Sequence, residues 1–463
     1  MSINTNSPSG TRDFLASDIR KRRQVIKVIQ EVYESFGFEP LETPAFENLS
    51  TLLGKYGEEG DQLLFRILLR GEKLQEAVAA QNVGRDVPAE RLYADLALKY
   101  DLTVPLARVM ARYAGQLPKF YKRYQIQPVW RADRPAKGRF REFMQCDVDV
   151  CGSTALTVEA EVIAAVCTVL ERLQFNDFSV ALNHREVLRG LIEAAGIAAE
   201  MEGTALVAVD KWDKIGKEGV AAELVNRGIA ASAATKLLDL LEAASAAPDN
   251  IARLAMLREN LKRPSALKGF DDLQTILQLS VATGTSQRLA LSPNLARGLS
   301  YYTGAIFEVV VPGVAGSLGG GGRYDGLVGM FAGREIPACG FSLGLERILL
   351  LLEERGYFAE NSNALDILFT NFGDTLSDTL ALATRARKLG LTCDVYPESA
   401  GLKPQFNYAA ALGARFVAFF GEREKASGVL RLKRQSDGKE FSAALDRFEA
   451  ELPKSLSENL VFE

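Results

Sequence analysis

The sequence predicts an α+β protein: a domain built on a mostly antiparallel sheet, interrupted by a helical insertion and followed by a small α/β domain. Three observations carry this prediction. Residues 119–149 read as two aromatic and β-branched strands around a charged loop. Between about 187 and 292 the chain becomes rich in alanine and leucine at helical spacing. Beyond 363, strands and helices alternate. A chain of 463 residues exceeds one ordinary core and predicts about three domains. The divisions fall at 1–186 (first part of the sheet domain), 187–292 (insertion), 293–356 (second part) and 364–463 (terminal domain).

The elements follow in order. Arg20-Lys-Arg-Arg23 opens a helix whose apolar positions Val25, Ile26, Ile29, Val32, Tyr33 and Phe36 recur every three or four residues, with Gly37 as the stop. The basic run is expected to be a solvated helix face. Pro40 and Pro44 then suit an edge or boundary strand. Phe120 to Trp130 and Phe143 to Val150 form the predicted hairpin, Thr157 to Leu173 an amphipathic helix, and Phe178 to Leu182 a short strand. After the insertion, strand character resumes at Tyr301, passes the glycine run Gly319 to Gly322, and leads to a helix from Ser342 to Arg355. Gly356 to Asn363 is the expected linker. A mostly parallel sheet is then predicted from strands Leu365 to Thr370, Leu391 to Tyr396 and Phe416 to Phe420, with helices Leu376 to Leu389 and Gln405 to Leu412 between them.

Composition excludes several classes. A hydrophobic share of 47% with 25% charged residues is that of a folded globular chain rather than a disordered one. Met1 to Gly10 is polar, and no apolar run approaches the roughly 18 residues that span a bilayer, so a cytoplasmic protein without membrane association is expected. The five cysteines are scattered and never spaced Cys-x-x-Cys, which indicates neither a disulfide framework nor a zinc site. His184, the sole histidine, ends an apolar strand-like run and is expected to be structural, since a nucleophile triad also needs positioned partners. The net charge of −4 argues against a general basic coat but allows a local basic patch.

Five segments carry candidate chemistry. The loop from Trp130 to Phe143 places Arg131, Arg134, Lys137, Arg139 and Arg141 against only Asp133 and Glu142, a density suited to polyphosphate because guanidinium forks to phosphate oxygens. On composition alone it is a solvated hairpin loop. Arg297-Gly-Leu-Ser-Tyr-Tyr-Thr-Gly-Ala-Ile-Phe-Glu308 combines an arginine for a carboxylate or phosphate with paired tyrosines, and Gln145-Cys-Asp-Val-Asp149 supplies an acceptor for a ring N–H. Gly340-Phe-Ser-Leu-Gly-Leu-Glu-Arg347 precedes an apolar helix, where a Gly-x-x-x-Gly by itself signals packing. Ser317 to Gly326 is either a flexible turn or a place where backbone approaches a ligand. No Gly-Lys-Ser/Thr phosphate loop occurs.

In this order the segments resemble the histidyl-tRNA synthetase family of class II aminoacyl-tRNA synthetases. The first helix and proline strand are similar to motif 1, which implies a homodimer. The arginine loop is similar to motif 2, which implies Arg131 on the ATP α-phosphate, Phe143 stacked on adenine, Asp133 at the adenine edge, and the loop near the tRNA acceptor end. Asp133 stands where many members carry glutamate. Gly340 to Arg347 is similar to motif 3, placing Arg347 at the γ-phosphate and adenine. Tyr100-Asp-Leu-Thr-Val-Pro105 resembles the segment that holds the substrate α-ammonium, through Asp101 and Thr103 with Gln145. Asp149 and Tyr302 would address the imidazole beside Tyr301, and Arg297 the carboxylate and α-phosphate. Lys211 to Gly219, Pro404 to Tyr408 and Gly421 to Glu424 also fit the family, so the likeness covers nearly the whole chain, with motifs 1 and 2 in 1–186 and an anticodon-binding domain in 364–463.

The resemblance implies ATP-dependent ligation of L-histidine to tRNA(His) through histidyl adenylate, with Arg131 and Arg297 catalytic, Mg²⁺ on the ATP phosphates, and no metal bound by the protein itself. Ser300 occupies the place where the family usually has aspartate. The rival expectation is a non-catalytic relative such as a regulatory subunit of histidine biosynthesis. Such proteins typically lose active-site arginines or the terminal domain, whereas Arg131, Arg297, Arg347 and the α/β tail are present here.

Overall fold

The apolar spacing that begins at Val25 folds into helix Ala16–Ser35, which buries Val25, Ile29, Val32 and Tyr33 along one face. Gly37, at φ +76°, takes the left-handed conformation that lets the chain leave the helix. Strand β1 (Glu39–Pro40) follows at a sheet edge, where the missing proline N–H removes no ladder bond. The structure, a computed structural model, describes residues 3–82, 93–296, 301–314, 316–358 and 365–457. The chain divides into two compact units, 1–351 and 352–463.

In the first unit, β2 (Phe46–Asn48), β3 (Arg66–Leu68) and β4 (Ala94–Leu98) form a small antiparallel sheet that the sequence patterns did not indicate. Strands of three residues are too short for alternation to be read. The main sheet adds β5 (Tyr121–Trp130), β6 (Glu142–Cys151), β7 (Ser179–His184), β8 (Leu289–Leu291), β9 (Ala305–Val310), β10 (Gly319–Arg323) and β11 (Ala338–Gly344). Its order is β1-β5-β6-β11-β10-β9-β7-β8, antiparallel except where β1 meets β5 and β7 meets β8.

Alternation along β5, β6 and β11 separates two faces. Tyr124, Cys146, Val148, Phe341, Leu343 and Phe307 are buried on the face that helices Ala16–Ser35 and Thr157–Arg172 cover, with Phe307 and Phe341 stacked at 6.1 Å. The other face is also buried but polar. Arg123, Asp149 and Gly340 are paired across one row, and Gln125, Asp147 and Ser342 across the next. This second face builds the site.

Two local expectations change. The helix expected from Ser342 begins at Leu345, because Cys339, Phe341 and Leu343 alternate with Gly340 and Ser342 as a strand paired on both edges. The glycine run is likewise a strand, β10, held between β9 and β11, so two ladders override the weak intrinsic β preference of glycine. Helices from Arg185–Ala194 through Pro264–Ala282 make up the insertion. β8, within 187–292, returns to the sheet beside β7.

The second unit carries β12 (Leu365–Phe369), β13 (Cys393–Val395), β14 (Ala414–Phe419), β15 (Val429–Arg434) and β16 (Glu440–Ala444), in the order β13-β12-β14-β15-β16. The three expected strands pair parallel as predicted. β15 and β16 add two antiparallel pairings, so the sheet is mixed rather than mostly parallel. Phe369, Phe416, Leu432 and Phe448 fill its core. Part of the expected linker, 359–363, lies outside the described residues.

Candidate active site

A cavity of about 460 Å³ opens on the polar face of the main sheet. Asp101, Thr103, Arg131, Asp133, Phe143, Gln145, Asp149, Tyr301, Tyr302 and Arg347, ten of the residues the motifs single out, line it together. Arg297 and Ser300 lie outside the described residues.

The acidic end is built on strands. Gln145, Asp147 and Asp149 alternate along β6 and so point to one face. Asp149 accepts a hydrogen bond from the Tyr324 hydroxyl, and its other oxygen lies 2.7 Å from Nη2 of Arg123. Gly340 of β11 is the position opposite, and a Cβ there would fall 1.8 Å from Asp149 Oδ1, so only glycine lets this carboxylate lie across the neighbouring strand. Burial pushes the carboxyl of Asp149 up, opposed by Arg123 and the Tyr324 hydroxyl. Burial likewise pushes Asp147 up to about 7, with Asp149 adding to the shift and Arg123 opposing it.

Arg123, 0% exposed, is tied into a polar chain behind the cavity. Its Nη1 donates to Gln125 at 3.2 Å, Gln125 Nε2 donates to Gln127 Oε1 at 2.6 Å, and Lys99 Nζ donates to the same oxygen at 2.7 Å. Burial lowers Lys99 to about 8. Asp101 faces this end from the turn before helix Thr103–Arg112. Its Oδ1 accepts from the Val104 amide at 3.0 Å and the Tyr56 hydroxyl at 3.2 Å, and burial raises its carboxyl. Tyr301 packs between Tyr302 and Tyr324, at ring separations of 5.0 and 5.9 Å, as an apolar wall.

The other end is cationic and built on the loop between β5 and β6. Arg131 lies over the rings of Tyr100 (4.2 Å) and Phe143 (5.2 Å), and its Nε donates to the Tyr100 carbonyl. Arg139 pairs with Asp133 at 2.7 Å. Arg347, from helix Leu345–Glu354, donates to the Ser317 carbonyl, and burial followed by the neighbouring Arg139 lowers its pKa. One buried arginine clamps this end from behind: Arg22 meets Glu346 at 3.0 Å, and Glu346 accepts from the Met144 amide at 2.9 Å. Arg20 and Arg23 are exposed as expected of a solvated face, while Arg22 is not.

An acidic end and an arginine end in one cavity match a substrate that joins an ammonium-bearing amino acid to a nucleotide phosphate. Among known proteins, the histidyl-tRNA synthetase family profile matches residues 90–348, more than half of the chain. The chain belongs to the histidyl-tRNA synthetase family. An anticodon binding domain matches residues 368–455. The histidine–tRNA ligase of Christiangramia forsetii is 40% identical over 444 residues, covering 94% of this chain and 96% of that one. That of Gloeobacter violaceus is 39% identical, covering 92% and 93%. The crystal structure of histidyl-tRNA synthetase from a Nostoc species matches with a TM-score of 0.79 at 29% identity, over 99% of this chain and 100% of that one. A Bacillus halodurans structure titled as an ATP phosphoribosyltransferase regulatory subunit/histidyl-tRNA synthetase shares the fold, with a TM-score of 0.72 at 20% identity over 90% and 99%.

Around this cavity, the sequence motifs do not single out Asp147, Arg123 and Tyr324. Asp147 was open to detection, because Gln145-x-Asp147-x-Asp149 shares one face of any strand. Arg123 and Tyr324 were not, since their contacts depend on cross-strand register. His184 stands outside the cavity, where its Nδ1 accepts from the Glu186 amide at 3.1 Å and caps helix Arg185–Ala194. The five cysteines are free. Among the described residues, no helix is long and apolar enough to cross a membrane.

Proposed function

We propose that the chain ligates L-histidine to tRNA(His) in two steps. The histidine carboxylate attacks the α-phosphate of ATP and releases pyrophosphate. The terminal ribose hydroxyl of tRNA then attacks the carbonyl of histidyl adenylate and releases AMP. One observation carries the reading: acidic groups that suit an ammonium and an imidazole share a single cavity with arginines that suit phosphate.

Asp101, Thr103 and Gln145 hold the α-ammonium, and Asp149 accepts from an imidazole N–H, with Tyr301 and Tyr302 walling the ring. Arg123 and Tyr324 fix Asp149, each of whose oxygens keeps a second lone pair for the substrate. Phe143 stacks on adenine, Asp133 meets its edge, and Arg347 reaches the terminal phosphate. Arg131 and Arg297 stabilise charge that builds on the α-phosphate, a preorganised electrostatic role that needs no covalent intermediate on the protein. Mg²⁺ enters with ATP, as the counter-ion of its phosphates and part of that substrate. Helix Ala16–Ser35 and the β1 edge form the face for a second copy in a homodimer, and the terminal domain reads the anticodon. The site of action is the cytoplasm.

The test is histidine-dependent exchange of pyrophosphate into ATP by the purified chain. Exchange with histidine and no other standard amino acid is expected. No exchange in the presence of Mg²⁺ would favour a regulatory relative.

A further inference from the structure

The resemblance gives Asp147 no role, yet it occupies the middle of the cavity's acidic end. It sits on β6 between Gln145 and Asp149, on the same face, and is 2% exposed. Its Oδ1 has no hydrogen-bond partner. The nearest guanidinium, Arg123, stands 3.8 Å from Oδ2 and is committed at 2.7 Å to Asp149. Three other buried acceptors lining the same cavity have no hydrogen-bond partner either: Oδ2 of Asp101, Oε1 of Gln145 and Oδ2 of Asp149, the last held in the ion pair with Arg123. Buried acceptors left without donors are costly, so the three outside that ion pair point to a ligand that brings donors.

The number and kind of atoms define that ligand. Three acceptors, two of them on carboxylates, match a primary ammonium, a compact cation with three N–H donors. A guanidinium or an imidazolium presents planar donors and fits a convergent set less well. The position also fits. Asp147 and Asp149 are two residues apart on a strand, a step of roughly 7 Å, comparable to the reach from the α-nitrogen of histidine to its ring.

We propose that Asp147 contacts the substrate and determines specificity: its bare oxygen accepts from the α-ammonium of bound histidine, beside Asp101 and Gln145. This rests on the reading of the cavity as a histidine site. Asp147 thereby adds a second carboxylate to the ammonium site of Asp101, Thr103 and Gln145 and disfavours ligands that carry the imidazole without the amine.

The test compares wild type with full-length Asp147→Asn in pyrophosphate exchange. The KM for histidine should rise about tenfold or more, with the KM for ATP unchanged. Two competitive inhibitors separate contact from mere positioning. Histidinol keeps the amine and the ring, and its Ki should rise by the same factor. Imidazolepropionate lacks the amine, and its Ki should stay within about twofold. Equal weakening of both would assign Asp147 to support of Asp149 and overturn the proposal, as would no weakening of either. Should the Asn protein fail to fold, Asp147→Ser repeats the comparison with the same outcomes. Failure of wild type itself to exchange with histidine would sink the functional reading instead, which keeps the two apart.

Discussion

The two ends of the cavity are built by different means. The acidic end stands on β6 and β11, central strands whose register sets every side chain, and its charges are buried. The arginine end hangs on the loop between β5 and β6, where Arg139 is 55% exposed. The lesson concerns what each end must do. Discriminating histidine from other amino acids requires desolvated groups at fixed positions, since a site left with unpaired polar groups by the wrong ligand rejects it strongly. Under the proposed assignment phosphate is held by charge, which tolerates the greater freedom of an exposed loop.

The largest expected effect comes from removing the strand-borne acid whose partner is trapped. Asp149→Ala leaves the Arg123 guanidinium buried without its 2.7 Å partner. Breaking such a pair costs about 3–5 kcal/mol of stability. Histidine use should fall by at least ten- to a hundredfold, with the KM for ATP nearly unchanged. Thermal unfolding and exchange kinetics check both halves. An unchanged melting temperature would mean that the acidic end is not rigid, and the contrast between the ends would collapse.

Arg131→Ala probes the other end. Loss of one preorganised donor to a transition-state anion lowers kcat by roughly 10²–10³. Histidinol binding, measured without ATP, should change little. A comparable loss of histidinol affinity would show that the ends act as one network.

The third effect sharpens the comparison through pH. Burial holds the Asp147 carboxyl near 7, above the usual carboxylate range. A raised carboxyl keeps its proton in the folded state after the unfolded chain has lost it. Its contribution to stability is therefore full below about pH 4 and is lost as pH rises through about 7. Asp147→Asn cannot ionise, so without histidine it should melt above wild type at pH 8, by an amount on the order of a few kcal/mol at most. The gap should narrow towards pH 4.5. A gap that did not change with pH would mean that Asp147 is not charged in the unliganded site. Stability gained with substrate binding lost is the expected trade at a functional group.

What could be read from the sequence follows the same division. The loop arginines, the hairpin that carries them and the strand that bears Asp149 were legible because charge density and alternation are local signals. The partners of Asp149 were not, because Arg123 and Tyr324 meet it only through the registers of β5, β6, β10 and β11. Gly340 illustrates the limit. Its spacing from Gly344 suggests helix packing, whereas in the sheet it makes room for a carboxylate from the next strand. Arg22 looked like one of four solvated cations and proved to clamp Glu346 beneath the arginine end, a contact 324 residues away in sequence.

The smallest effect is expected where the loop is most exposed. Arg139 pairs with Asp133 at 2.7 Å, yet more than half of its side chain meets solvent, so the pair contributes less than about 1 kcal/mol to stability. Arg139 also lies close enough to Arg347 to make that guanidinium less favourable as a cation. Arg139→Ala therefore removes a cation from the phosphate end and relieves a like-charge contact, and these act in opposite directions on ATP. The KM for ATP should move by no more than a few-fold, the melting temperature should hold, and the KM for histidine should not move. Measuring all three in one exchange and unfolding series decides the matter. A shift in the histidine KM would carry a perturbation from the exposed loop into β6, and the acidic end could no longer be treated as set by strand register alone.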